Sequence, residues 1–280
     1  MRSSTVTASI ALVALVLSLS SLAGRGSTQA SVSNSLQTIQ ERGVIDVCYG
    51  VWPPAIIKDA KTGELSGHDI DAIEYITEQI GVEVRYHEQT FGNMAAALQT
   101  GTCDMTLSFF VKIGRSAAVA FTHPLFYEGN SALVRAGDTR FKAVDDMNKP
   151  GVRIAVANGE SGHIYAKEHL SNATIIPIDV ESSDLNRFLL EVTSGRADVG
   201  MADAQTIKKF ASEHPETTDL FAGRPFDLNA NSWAVRHGDE QLLNFLNNAL
   251  LYMDANGTWL ELERKYDAHR LHEIKQYKVL

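Results

Sequence analysis

Apolar and polar positions along this chain alternate between two periods, and the alternation itself repeats. Val44 to Tyr49 reads as a buried strand, and Trp52-Pro-Pro54 imposes an extended turn after it. Ile70, Ile73, Ile76 and Ile80 then form one helical stripe that Gly81 stops. Val82 to Tyr86 predicts a strand, Met94 to Gln99 a helix and Met105 to Ser108 a third strand. A second series follows. Pro150 to Ala157 reads as a strand, His163 to Leu170 as a helix and Thr174 to Pro177 as a strand. Leu185, Phe188, Leu189 and Val192 stripe a further helix.

Each series contains the same punctuation. Gly101-Thr-Cys-Asp104 and Gly195-Arg-Ala-Asp198 both end a helical stretch and lead into a short apolar run. The first run is followed by Arg115 and the second by Asp203, so one repeat offers a cation and the other an anion. Strands alternating with helices imply parallel sheets with crossover helices. Tyr127 to Val134 and Asn229 to Val235 flank the second series and read as two strands crossing between lobes. The longest clean stripe, Leu242 to Met253, stops at Gly257, after which Thr258-Trp-Leu-Glu261 has capping-box spacing.

The expected fold class is therefore α/β, with two lobes, each a mainly parallel sheet flanked by helices, joined by two crossing strands. The expected division is 35–131 with 233–267 for lobe one, 132–232 for lobe two and 268–280 for a polar tail. A length of 280 residues suffices for two modest cores. Met1-Arg2 followed by the apolar run Ala8 to Ala23 reads as an export signal, cleaved near Ala23 or Ala30, with 1–30 as signal and tether. That places the mature chain in a periplasmic or secreted setting. Export also puts Cys48 and Cys103 in an oxidising compartment. Two readings stand for them: a disulfide, if their strands are neighbours, or two buried thiols.

A net charge of −9 with no Lys/Arg cluster argues against a nucleic-acid partner. The chain has no His-Glu-x-x-His, no phosphate loop and no Gly-x-Ser-x-Gly elbow, so no metal or cofactor is expected. His269 and His272 sit in the polar tail, and Asn172-Ala-Thr and Asn256-Gly-Thr match glycosylation sequons.

Several motifs, in order, carry a resemblance: Ile39 to Val47, Trp52-Pro-Pro54, Gly67-His-Asp-Ile-Asp71, Leu98 to Asp104, Gly114-Arg115, Phe121 to Pro124, Gly195 to Asp203 and Gly257-Thr-Trp. Over Leu36 to Tyr266 the chain resembles the family 3 extracellular solute-binding proteins, the periplasmic receptors of polar amino acid ABC transporters. The resemblance implies a type II periplasmic-binding-protein fold, a small amino acid or related carboxylate as ligand, a permease as partner and a monomer.

By the same resemblance Arg115 takes the ligand carboxylate and Asp203 the ammonium, against the plainer alternatives of a surface ion pair and a helix N-cap. Trp52 and Phe91 fall where aromatics sandwich the ligand, and Ser161 where a lobe-two loop offers donors. Ser108 and Phe110 stand where the family has a small residue and a hydroxyl. Glu160 stands where Thr or Ser is common.

A second resemblance is to cyclohexadienyl dehydratase, carried by Lys149 to Val152, His214-Pro-Glu216 and Arg224 to Asp227. It implies a lyase acting on prephenate or arogenate, with His163 and Glu160 as the proton-handling pair.

Overall fold

The computed structural model describes residues 35–180, 184–266 and 268. The export signal within 1–30, its cleavage points, His269, His272 and all of the polar tail except Ala268 lie outside the described residues. Among those described, no helix is long and apolar enough to cross a membrane.

The first half opens with α1 (Ser35–Arg42), β1 (Val44–Tyr49) and a small hairpin, β2 (Ile57–Lys58) and β3 (Leu65–Ser66). It continues with α2 (His68–Glu78), β4 (Glu83–Glu88), α3 (Met94–Thr100), β5 (Met105–Phe110), the single turn α4 (Ile113–Ser116) and β6 (Val119–Phe121). β7 (Phe126–Arg135) is the first crossing strand. The second half has β8 (Arg153–Ala157), α5 (Ser161–His169), β9 (Thr174–Ile178), α6 (Leu190–Thr193), β10 (Val199–Asp203), α7 (Ala204–Glu213) and β11 (Thr217–Asp219). β12 (Phe226–Arg236) crosses back, and α8 (Glu240–Ala255) and α9 (Thr258–Lys265) follow.

The sheet runs β4-β1-β5-β12-β7-β10-β8-β9. β4, β1 and β5 are parallel, as are β10, β8 and β9, while β12 and β7 lie antiparallel between them. Read outward from its crossing strand, each half has the same order of third, first and second strand. The doubled pattern in the sequence is thus a doubled supersecondary unit. The apolar cores divide accordingly: one gathers Val47, Ile73, Leu107, Trp233 and Leu246, another Val134, Ile154, Val156 and Met201.

The repeated Gly-x-x-Asp has the same task twice. Gly101 and Gly195 adopt left-handed φ of 76° and 75°, which stops the helical turn. Asp104 N–H donates to the Asp46 carbonyl and its carboxylate accepts from Asp46 N–H, at 2.7 and 2.8 Å. Asp198 does the same with Arg153, at 2.8 and 3.0 Å. Each acid ties the third strand to the start of the first.

Two local expectations fail. Residues 185–189 are turns closed by i→i+3 bonds, such as Leu189 N–H to Asn186 and Val192 N–H to Leu189, so α-helix covers only Leu190–Thr193. Phe188, Leu189 and Val192 are still buried; the tighter 3-residue period serves the stripe equally well. The capping box at Thr258 does not form. Gly257 is the N-cap, and the Asn256 side chain takes the Thr258 N–H at 2.9 Å. Cys48 and Cys103 form a disulfide, with Cα atoms 5.7 Å apart, which settles the choice left open by the sequence.

Candidate functional site

In α/β sheets ligands gather at the carboxyl ends of parallel strands. Here those ends from the two halves face one gap. β1 leads to Trp52 and β4 to Phe91, while β5 ends in Ser108 to Phe110, with Arg115 on the turn beyond. From the opposite half, β8 leads to Glu160 and Ser161, and β10 ends at Asp203. These residues and Asn231 of β12 line one cavity. Every binding-site candidate read from the sequence is among them: Trp52, Phe91, Ser108, Phe110, Arg115, Ser161 and Asp203.

Arg115 spans the gap. Its guanidinium lies 4.0 Å above the Phe109 ring and donates to the Phe110 carbonyl at 3.1 Å and the Gly159 carbonyl at 2.7 Å. Burial pulls its pKa down to about 10, with Glu160 opposing, so it stays cationic at neutral pH. It is not a surface ion pair.

Trp52 is buried, stacked on Phe126 at 5.8 Å and edge-on to Phe110 at 5.5 Å. Phe110 thus contributes a ring to the cavity wall and its carbonyl to Arg115. Ser108 has φ of 33°, unusual for a residue with a side chain. Fully buried Asp69 holds it there: one carboxylate oxygen accepts from Ser108 N–H at 3.1 Å, Ser108 Oγ at 2.7 Å and Trp233 Nε1 at 2.9 Å. The Ser108 hydroxyl proton is therefore spent on Asp69, and only its lone pairs are open to a ligand.

Across the gap, Gly162 lets α5 approach β10: a Cβ there would sit 2.4 Å from the Met201 carbonyl oxygen. That approach sets Glu160 and Ser161 beside Asp203. Ser161 Oγ donates to Asn130 Oδ1 at 2.7 Å, and Asn130 donates to Asp227, which also pairs with Lys112. Ser161 was read from the sequence as a hydroxyl donor; that proton is committed to Asn130.

Asp203 is 4% exposed and caps α7, accepting from Thr206 N–H at 2.9 Å. Burial pushes its pKa up, against hydrogen bonds from Thr206, Trp52 and Gln205. Burial, reinforced by Asp203, also lifts Glu160 and nearby Glu128 of β7 from 4.5 to about 8 each. Glu128 and Asn231 were missed in the sequence. Both are buried within strands, where residue type alone gives no signal of burial, and of the two Asn231 lines the cavity.

His163 does not line this cavity. Its Nδ1 accepts the Gly159 N–H at 3.0 Å, and burial lowers its pKa, so the ring is a neutral brace for the loop. That geometry does not make it a proton donor to a ligand in the gap. Among the described residues, no group of three or more His, Cys, Asp or Glu is gathered to hold a metal.

The family model for bacterial extracellular solute-binding proteins, family 3, matches residues 45–269. The chain belongs to that family. The L-cystine-binding protein of Escherichia coli strain K12 is 22% identical over 90% of this chain and 92% of its own length. The histidine-binding periplasmic protein of the same strain is 27% identical, over 90% and 96%. Among solved structures, a mutant of the arginine-binding protein from T. maritima superposes with a TM-score of 0.75, at 26% identity, covering 84% of this chain and 99% of that one. An ancestral amino acid-binding protein, a precursor of cyclohexadienyl dehydratase, gives a TM-score of 0.72 at 30% identity, covering 83% and 99%. These neighbours share the two-lobed type II periplasmic-binding-protein architecture. The dehydratase itself, from Pseudomonas aeruginosa, is 23% identical over 88% of this chain and 94% of its own.

Proposed function

We propose that the protein is an exported receptor that captures one free amino acid, or a related small carboxylate, and passes it to an ABC permease. One observation carries the reading: a cation from one half, Arg115, and an anion from the other, Asp203, line the same small cavity between aromatic walls. The α-carboxylate of a zwitterion pairs with the planar guanidinium, and its ammonium with Asp203. Trp52 and Phe91 cover the rest of the ligand.

Each half alone holds only half of this site. A ligand touching both therefore favours the closed arrangement over an open one, by its differential contact with the two. The crossing strands β7 and β12 are the proposed hinge, and the proposed division is 35–131 with 233–267 against 132–232. Periplasmic residence, removal of 1–30 and a monomeric state complete the proposal. The names of the relatives support amino acids as the ligand class. Of the lyase reading's two proton-handling residues, His163 is braced against Gly159 outside the cavity, which leaves Glu160 alone there.

A thermal-shift screen of the mature protein over the free amino acids tests this. A binder at 100 times its Kd stabilises the fold by about 2.7 kcal/mol. One or a few amino acids should raise the melting temperature, and Arg115→Ala should abolish the rise. A flat response across the whole panel would contradict the reading.

A further inference from the structure

Asn231, like Glu160, is a polar side chain of the cavity that the binding reading leaves without a role. It lies on β12 and is 1% exposed, and neither its amide nitrogen nor its carbonyl oxygen has a hydrogen-bond partner among the described residues. A buried amide with both ends unpaired is costly, because it has lost its water and gained nothing. Such a residue persists where another molecule completes it.

Its surroundings define what that molecule offers. In the sheet register Asn231 stands opposite Phe110 on one side and Phe126 on the other. Opposed residues of antiparallel strands share a face. Trp52 stacks on Phe126 and meets Phe110 edge-on, so the amide lies in an aromatic box. An anionic group brought there would meet aromatic rings, one neutral amide and the Glu160 and Asp203 carboxyls of the same cavity, and would keep its desolvation cost, while a cationic group would be drawn to Glu160 rather than to the amide. An apolar group would leave both amide ends unpaired. A neutral group that donates and accepts at once satisfies both.

We propose that Asn231 is a specificity-determining residue, resting on amino acid capture in this cavity: it selects a ligand bearing an uncharged carboxamide. The carboxamide pairs head-to-tail with the Asn231 side chain, while Arg115 and Asp203 hold the backbone groups. Ser108 and Ser161 cannot substitute for it as donors, since both hydroxyl protons are already committed.

Calorimetry with free glutamine, glutamate and norleucine, three side chains of similar length, separates the possibilities. The wild-type protein is expected to favour glutamine over both others by roughly 30-fold or more. Asn231→Leu should bring glutamine down to the level of norleucine. The same substitution should raise the ligand-free melting temperature by about 2–4 °C, by removing the orphaned amide. Asn231→Ala, which cannot overpack the box, should erase the same preference. Amino acids that bind with their order unchanged in both variants would overturn this proposal and leave amino acid capture standing. A wild-type preference for a charged or apolar side chain would overturn it likewise. Failure of every amino acid to bind would remove the capture reading as well.

Discussion

Arg115 reaches from the turn after β5 to the Gly159 carbonyl at the start of the opposite loop, closing the gap with a 2.7 Å hydrogen bond. The same guanidinium stacks on Phe109 and donates to Phe110. One planar group thus performs three tasks, which a lysine ammonium cannot. Arg115→Lys keeps the charge but is expected to weaken ligand binding by about 2 kcal/mol, roughly 30-fold in Kd. Calorimetry against the best amino acid found by the thermal screen checks this.

The lip of the gap also depends on a backbone approach. Gly159 has φ of 80°, and a Cβ there would lie 2.8 Å from the Cα of Gly92 in the other half. A Cβ on Gly92 would sit at an ordinary 3.8 Å from Gly159. Gly159→Ala is therefore expected to cost binding at least tenfold, about 1.4 kcal/mol, by obstructing this contact and straining the loop. Gly92→Ala should bind within about twofold of wild type. Equal effects of the two would contradict the contact as a closing element.

Asp69 holds the floor of the site from behind. Its carboxylate takes three buried protons from Ser108 and Trp233. Asp69→Ala leaves all three unpaired and releases Ser108 from its positive φ. The expected loss is about 4 kcal/mol of stability, read as a fall in the denaturant midpoint.

Stability should fall as pH rises across the neutral range. Glu160 and Glu128 have pKa near 8 in the folded chain against an ordinary 4.5, so folding holds their protons more tightly. The stability this gives is full below about pH 4.5 and is lost as pH rises through about 8. Asp46, Asp146 and Asp198 act oppositely: their pKa values near 2 give stability that is lost as pH falls from about 4 toward 2. Melting temperature without ligand should therefore peak near pH 4–5. Glu160→Gln and Glu128→Gln should each flatten the decline toward pH 9.

The disulfide ties β1 to the segment just before β5, closing a separation of 55 residues. Loop-closure entropy gives it about 4 kcal/mol. Paired Cys48→Ser and Cys103→Ser substitution should lower the denaturant midpoint accordingly, without changing the amino acid selected.

Much of this architecture was legible because its signals are periodic or stereochemical. Gly101 and Gly195 marked equivalent helix ends, and the strands behind them led to Arg115 and Asp203. The seven candidate contact residues converge because strand ends, unlike strand middles, are visible in sequence as changes of pattern. Leu185 to Leu189 misled because apolar spacing of three and four suits a tight turn series as well as an α-helix. Thr258 misled because Asn256 competes for the same backbone N–H. Asn231 and Glu128 gave no signal: each lies inside a crossing strand, and its burial depends on what the other half of the molecule brings over it.

The central claim is that one zwitterion joins Arg115 to Asp203. The most direct measurement is calorimetric titration with the best-binding amino acid beside its N-acetyl and its α-carboxamide derivatives. Each blocked form should bind at least 100-fold more weakly to the wild-type protein, and Asp203→Asn should lose its discrimination against the N-acetyl form alone. Blocked derivatives that bind as tightly as the parent would contradict the account.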